Sequence, residues 1–224
     1  MEFREVLQRR RSVRHYRDDP VPRAVLERIT NAAVVRAPNA GFSQGLRLVV
    51  VTDPELRHRI ATAASEDELA VHGRPRWKAA APVHIVVLTR EDDYHERYQR
   101  PDKLKITGGR EIEWPAPYWF VDAGAALMSL MLAAIDEGLA TAVFGVTDLQ
   151  ALREVLQLPE ELSFVAVVTM GYPSGEPVSE RDTREFRQRR RPRSDVVRWE
   201  RRGGVSRPHP GRASCVSQSA ASIE

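Results

Sequence analysis

Apolar and polar positions change period several times along this chain of 224 residues, and each change predicts an element. A short helix is expected from about Glu2 to Arg9. Between Pro22 and Val35, Val25, Ile29, Ala32 and Ala33 recur at helical spacing, and the run Asp18-Asp19-Pro20-Val21-Pro22 marks where that helix begins. Leu46 to Val51 (LRLVVV) reads as a buried strand, followed by a helix opening at Asp53-Pro54. Val83 to Leu88 (VHIVVL) is a second strand. Phe120 to Glu137 is the strongest helix, apolar nearly all round and ended by Gly138, a pattern that belongs at the centre of a fold. Ala140 to Val146 gives a strand and turn, Asp148 caps a helix through Leu156 that Pro159 punctuates, and Ser163 to Met170 is a further buried strand closed by Gly171-Tyr172-Pro173.

From about Thr89 to Tyr118 the pattern lapses into a long connection of charges, glycines, prolines and aromatic rings, expected as a lid over residues 89–119. Strands and helices alternate without a strict βαβ rhythm, which predicts an α+β layered domain. We place that domain at 1–202. From Gly203 onward Gly, Ser, Pro and Ala take over, and 203–224 is expected to be a disordered tail.

Composition narrows the function. A net charge of +3 looks basic, but the excess sits in residues 184–212 and the remainder is slightly acidic, so no nucleic-acid partner is expected. The opening MEFREVLQRRR lacks the apolar core of a secretory signal, and no apolar run of about eighteen residues is evident; a cytoplasmic protein without a membrane partner is expected. Cys215 is the single cysteine, the histidines show no ligand spacing, and no metal site is predicted. GxGxxG, GxxxxGK[ST] and GxSxG are all missing.

Three segments carry candidate chemistry. In RRRSVR, Arg10, Ser12 and Arg14 fall on one face of an extended stretch, and a planar guanidinium fork suits a dianionic phosphate. In APNAGFSQGL, Asn39, Ser43 and Gln44 follow Pro38 with groups able to read a polar heterocycle. In the closing arm, Arg190 and Arg191 precede Pro192. Taken singly these read more readily as a solvated charge run, a polar loop and a basic tail.

Their order says more. RRSVRxY, a PVP-led helix, AP-x-A-G-x-x-Q before a strand, a DAGAA helix, a strand-turn, GYP and a closing RRP arm succeed one another over roughly residues 3–199. This succession resembles the FMN-dependent nitroreductase family. The resemblance implies an intertwined homodimer with a central mixed or antiparallel sheet flanked by helices, and an FMN in each of two clefts between subunits. It implies that Arg10, Arg11, Ser12, Val13 and Arg14 contact the FMN phosphate and ribityl chain, while Pro38 and Asn39 approach from the partner subunit with Ser43 and Gln44 shaping their loop. Phe144, Gly145 and Val146 would lie along the isoalloxazine, and Arg190 would close on the phosphate. The implied chemistry is ping-pong: NADH or NADPH reduces the flavin and leaves, and a nitroaromatic, quinone or related small acceptor takes its place. The cofactor carries that step, so no catalytic acid or base is expected; Arg14 is the candidate to stabilise charge at flavin N1. A flavin-sequestering protein with little turnover is the competing reading.

Where the family loop commonly reads APSxxNxQPW, this chain has Asn39, Phe42 and Gly45-Leu46 at the differing positions, which bears on the choice of acceptor. The Glu, Tyr and Lys of the deiodinase branch find no matching positions, so deiodination is not expected. Tyr94, Tyr98, Trp114, Tyr118 and Trp119 concentrate aromatic faces in the lid and are the candidate substrate contacts.

Overall fold

A computed structural model describes residues 1–175 and 188–199. The chain divides into two compact units, Met1–Glu176 and Pro177–Glu224, so the expected boundary at 202 falls inside the second. The expected tail, 203–224, lies outside the described residues.

Four strands build the first unit: β1 (Leu46–Val51), β2 (Val83–Arg90), β3 (Ala140–Phe144) and β4 (Leu162–Gly171). Their order is β1-β2-β4-β3, and every neighbouring pair is antiparallel. β2 lies in the interior of the sheet and is buried along nearly its whole length, as its unbroken apolar run requires. Val83, Ile85 and Val87 face one helical layer and Val86 and Leu88 the other, following the period-two alternation of a strand.

The first layer holds α2 (Arg23–Arg36) and α7 (Tyr118–Asp136). Leu26, Ile29 and Ala33 of α2 meet Ala123, Ala126, Leu130 and Ala134 of α7 over the sheet. Leu26 thus fills the place expected of Ala32, which stays half-buried, because the stripe runs at three- and four-residue steps from 26. α1 (Phe3–Arg9) packs against α7. The second layer holds α3 (Pro54–Ala63) and α8 (Leu149–Leu156), with Ile60 and Leu152 against Val86, Val167 and Phe144.

Local chemistry sets the helix ends. The Asp53 carboxylate accepts from the Leu56 amide and the Asp148 carboxylate from the Ala151 amide, each at 2.9 Å, satisfying amides that have no intrahelical partner. α7 stops at Gly138, whose φ of +80° a side chain would oppose, and the Leu139 amide returns to the Ala134 carbonyl at 2.8 Å. By length and composition α7 could cross a membrane, contrary to the expectation that no such run exists. Here one face of it is packed on β2 and β4.

The long connection is more ordered than its pattern predicts. It contains α5 (Asp92–Tyr98) and α6 (Pro101–Ile106), and a further unexpected helix, α4 (Glu66–Val71), follows α3. Six- and seven-residue helices are too short to show periodicity or to hold themselves together in water, so contacts outside them do it. Tyr94, only 1% exposed, anchors α5 to the body. In the second unit a single turn, α9 (Arg193–Val196), starts after Pro192 and is preceded by Arg190.

Candidate cofactor site

The basic segment is strapped to the β3 edge. Ser12 bridges Thr141 in parallel register, the Val13 amide donates to the Thr141 carbonyl at 2.9 Å, and Tyr16 bridges Pro173. The Tyr16 hydroxyl donates to the Val13 carbonyl at 2.6 Å and meets the Thr169 hydroxyl at 2.7 Å; burial pushes this phenol far above its ordinary range. The backbone carrying the arginines is therefore fixed while their side chains are left over. Flanking residues are closed on carboxylates, Arg9 on Glu5 at 2.6 Å and Arg17 on Asp19 at 2.9 Å. Among the described residues, Arg10, Arg11 and Arg14 form no ion pair. Three uncompensated guanidinium groups within five positions, with the exposed Ser12 between them, form a donor set that fits a phosphate.

The segment splits by face, as alternation predicts. Arg11 and Val13 line a cavity of about 420 Å³ with Gln8, Arg9 and Thr141, under the end of α7. Arg14 instead lies 5.1 Å over the Trp77 ring. Trp77 meets Phe144 edge-on at 5.8 Å, and Phe144 meets His84 at 5.6 Å. The Lys78 ammonium is 5.5 Å from the Phe144 ring centre and donates to the Ala64 carbonyl at 2.5 Å. Arg14 and Phe144, expected at one flavin, are so joined through a tryptophan that sequence pattern did not single out. The Phe144 ring itself is buried in this cluster. Gly145 is exposed, and a Cβ there would meet nothing within 4 Å, so its backbone is open to a flat ligand. Val146 packs against the core of the second layer.

Two buried groups organise this cluster. The Glu66 carboxylate accepts from the Trp77, Lys78 and Ala79 amides at 2.8, 2.5 and 3.1 Å, fixing the turn that aims Trp77 and Lys78. Burial lowers the Lys78 ammonium below its ordinary range, with Glu66 opposing that shift. His84 is fully buried, its Nε2 2.8 Å from the Lys78 carbonyl and its Nδ1 without a hydrogen-bond partner among the described residues. Burial drops its pKa to about 4, so the ring is neutral at pH 7. Trp77 and Lys78 were not singled out in the sequence because RPRWKAAAP looks like exposed charge; only the fold shows that its lysine is 6% exposed.

The second half of the site is the loop before β1. After Pro38, Asn39 leads into a single 3-10 turn, Ala40–Phe42. Asn39 Oδ1 accepts from the Gln44 amide at 3.2 Å, and the Ser43 hydroxyl donates to the Ala40 carbonyl at 2.7 Å, so Ser43 is spent on the loop itself. Gly41, Phe42 and Gln44 all have φ near +60°, a region that disfavours the latter two side chains. Phe42 nevertheless projects from the loop, 69% exposed.

All five lid aromatics meet in one cluster, with Trp114 at its hub. Its ring lies 4.7 Å from Tyr98, about 6 Å from each of Tyr94, Tyr118 and Trp119, and its indole donates to Glu111 at 2.7 Å. Tyr94 and Trp119 are buried, whereas Tyr98, Trp114 and Tyr118 remain half-open. Arg190, in the second unit, is exposed.

The two halves do not meet within one chain. Loop 38–45 enters β1 at one sheet edge, at the end where Leu46 pairs with Thr89, while Ser12 attaches to β3 at the other edge, where Thr141 pairs with Met170 and Met170 with Val83. Three strand spacings make about 14 Å across the sheet, and the offset from Val83 to Thr89 about 20 Å along it. They occupy diagonal corners.

The fold is an antiparallel α+β sandwich whose β3 edge carries a basic strap and an exposed glycine. The sequence profile of the Nitroreductase family matches residues 7–172, and the chain belongs to that family. It is 30% identical over 171 residues to a putative NADH dehydrogenase/NAD(P)H nitroreductase of Archaeoglobus fulgidus, covering 75% of this chain and 83% of that one. It is 30% identical over 173 residues to the FMN reductase [NAD(P)H] of Bacillus subtilis, covering 73% and 63%. Among solved structures, a nitroreductase family protein of Clostridium difficile superposes with a TM-score of 0.65 at 26% identity, covering 90% and 99%.

Proposed function

We propose that the protein is an FMN-dependent NAD(P)H oxidoreductase that works as a homodimer and reduces a small planar acceptor such as a nitroaromatic or a quinone. The observation that carries this reading is the diagonal separation of the arginine cradle and the Pro38–Gln44 loop, too far apart on one sheet to enclose a single FMN. A second copy supplies the missing half. The outer face of α7 suits that copy: Val121 is 55% exposed, with Phe120 and Met128 exposed beside it and Phe3 and Leu7 of α1 nearby. Such an apolar surface is stabilised by being covered.

When bound, FMN supplies the redox chemistry, taking a hydride from NADH or NADPH and passing electrons to the acceptor in alternate half-reactions. The chain's own residues bind and orient it. Arg10, Ser12 and Arg14 would hold the phosphate, while Arg11 lines the cavity on the other face of the segment. Gly145 leaves room for the ring, and Pro38, Asn39 and Gln44 of the partner close over it. Tyr98, Trp114 and Tyr118 are the lid rings still open to an acceptor.

Purified protein should be yellow, or take up one FMN per chain, and run at twice the chain mass. NADH or NADPH should bleach it, and an acceptor should restore the colour. A colourless protein that refuses added FMN ends this reading. Bleaching without recovery by any acceptor leaves flavin sequestration instead.

A further inference from the structure

The loop before β1 carries two non-glycine residues in the left-handed region, Phe42 at φ +62° and Gln44 at φ +59°, yet Phe42 has little packing of its own. Conformations of that kind persist only where the surroundings over-determine them. The clamps come from α5 and α7. One oxygen of the Asp122 carboxylate, on α7, accepts from the Ala40 amide at 2.7 Å and from the buried Tyr94 hydroxyl of α5 at 2.8 Å. The Arg97 guanidinium of α5 donates to the Gly41 carbonyl at 2.8 Å. Tyr98 lies so close to Gly41 that a Cβ there would sit 2.7 Å from its ring, and Tyr94 would be 2.5 Å from a Cβ on Gly45.

We propose that Asp122 is a positioning residue for the cofactor: its carboxylate ties lid helix, central helix and loop together, and so presents Asn39, Phe42 and Gln44 as a preformed wall to the partner subunit's cleft. This rests on the two-subunit reading above. Asp122 touches neither ligand nor reacting atom in this scheme; it acts through the Ala40 amide and the Tyr94 phenol. Both bonds converge on a carboxylate, and charge-assisted bonds of this kind are roughly twice as strong as neutral ones. Burial and the Asp122 carboxylate together push the Tyr94 phenol well above its ordinary range, so it stays the donor throughout the working pH range. The half-open rings of Tyr98 and Trp114 are held by the same clamp, which couples acceptor-facing and flavin-facing walls.

The test uses the full chain and two readouts, one of them independent of flavin. In flavin-free protein, amide exchange at Ala40 should accelerate at least tenfold in Asp122→Ala while amides of β2 stay at wild-type rates. FMN titration should show the dissociation constant rising about tenfold. Asp122→Asn, whose amide oxygen can still accept both bonds, should recover most of each effect. Tyr94→Phe keeps the Ala40 bond but removes the α5 bond to Asp122, and should give a smaller loss of the same kind, about threefold; it also serves if the alanine variant fails to fold. Unchanged Ala40 exchange in the variants, or wild-type FMN affinity beside accelerated exchange, overturns the proposal. If wild-type protein binds no FMN, the proposed function fails and so does the cofactor role of Asp122, while the exchange data still report whether the clamp exists.

Discussion

The Arg10–Arg14 segment and the Asn39–Gly45 loop sit at diagonal corners of one sheet and are built on opposite terms. In the first, an ordinary extended backbone is bridged to β3 and to Pro173, and among the described residues Arg10, Arg11 and Arg14 have no carboxylate partner. In the second, Asn39 and Ser43 are spent on the loop itself, side chains of α5 and α7 hold its backbone, and that backbone is unusual, with positive φ at Gly41, Phe42 and Gln44. One region offers charge on a rigid strap, the other offers shape under constraint. In the proposed homodimer each would be half of a site, one supplied by each subunit.

The largest effect should come from the constrained corner. A Cβ on Gly45 would lie 2.5 Å from the Tyr94 ring and 2.7 Å from the Arg90 carbonyl oxygen. The ring can move, but the carbonyl cannot, because the Arg90 amide is itself bonded to the Gly45 carbonyl at 2.9 Å. Gly45→Ala should destabilise the fold by about 3 kcal/mol, the upper end for overpacking, and thermal unfolding will read it. Gly145→Ala is the contrast: nothing lies within 4 Å of its added carbon, so stability should hold while FMN affinity falls. Equal melting temperatures for the two variants would erase the distinction drawn here.

A smaller effect is expected at the charged corner, and only on cofactor retention. Arg14→Ala should weaken FMN binding by roughly 1.5–3 kcal/mol, the scale of a hydrogen bond to a charged group, with Arg190→Ala on the same scale. Fluorescence titration measures both. The fold should be little affected by Arg14→Ala, since the side chain is exposed and lies over the Trp77 ring. Affinity unchanged in both variants would remove the phosphate from this corner.

These two regions also show what a sequence discloses. The alternation of faces in the basic segment was legible because period-two spacing is written directly into RRRSVR. The layers were legible for the same reason, in the uninterrupted VHIVVL and the apolar length of α7. Asp122 was not, although it stands inside the DAGAA stretch that helped mark the family, because its partners are 82 and 28 positions away and nothing local requires them. The helices α4, α5 and α6 were missed for a related reason: each is held by contacts from elsewhere, such as Tyr94 on Asp122. Lys78 and Glu66 form the clearest case. A lysine in RPRWK predicts solvent, and only a carboxylate eleven to thirteen residues earlier, accepting three consecutive amides, turns the chain so that the ammonium is buried.

The finest test lies in how the clamp is braced. His95 of α5 places Nδ1 2.5 Å from Glu111, the carboxylate that also receives the Trp114 indole and, at 3.0 Å, the Gln99 amide. The Glu111 hydrogen bond raises His95 above its ordinary value, with Glu91 adding to the shift. Burial works to raise the Glu111 carboxyl, but hydrogen bonds from Gln99, Trp114 and His95 outweigh it and hold the carboxyl low. The signs then define a window. For His95, with its folded value raised, the contribution is complete below 6.5 and is lost as pH climbs through the raised value; for Glu111, with its folded value lowered, it is complete above 4.5 and lost as pH falls through the lowered value. Between those limits the pair braces α5, and through α5 the Asn39–Gly45 loop. Tryptophan emission titrated from pH 5 to 9, with Trp114→Phe as the blank, should show a small step above pH 6.5 that disappears in His95→Gln. The arginine cradle has no such brace, so the step should be absent from Arg14→Ala difference spectra. Identical titrations for wild type and His95→Gln would mean that α5 is held by Tyr94, Arg97 and the Asp93 pairs with Arg47 and Arg90, and that the constrained corner does not respond to pH through His95.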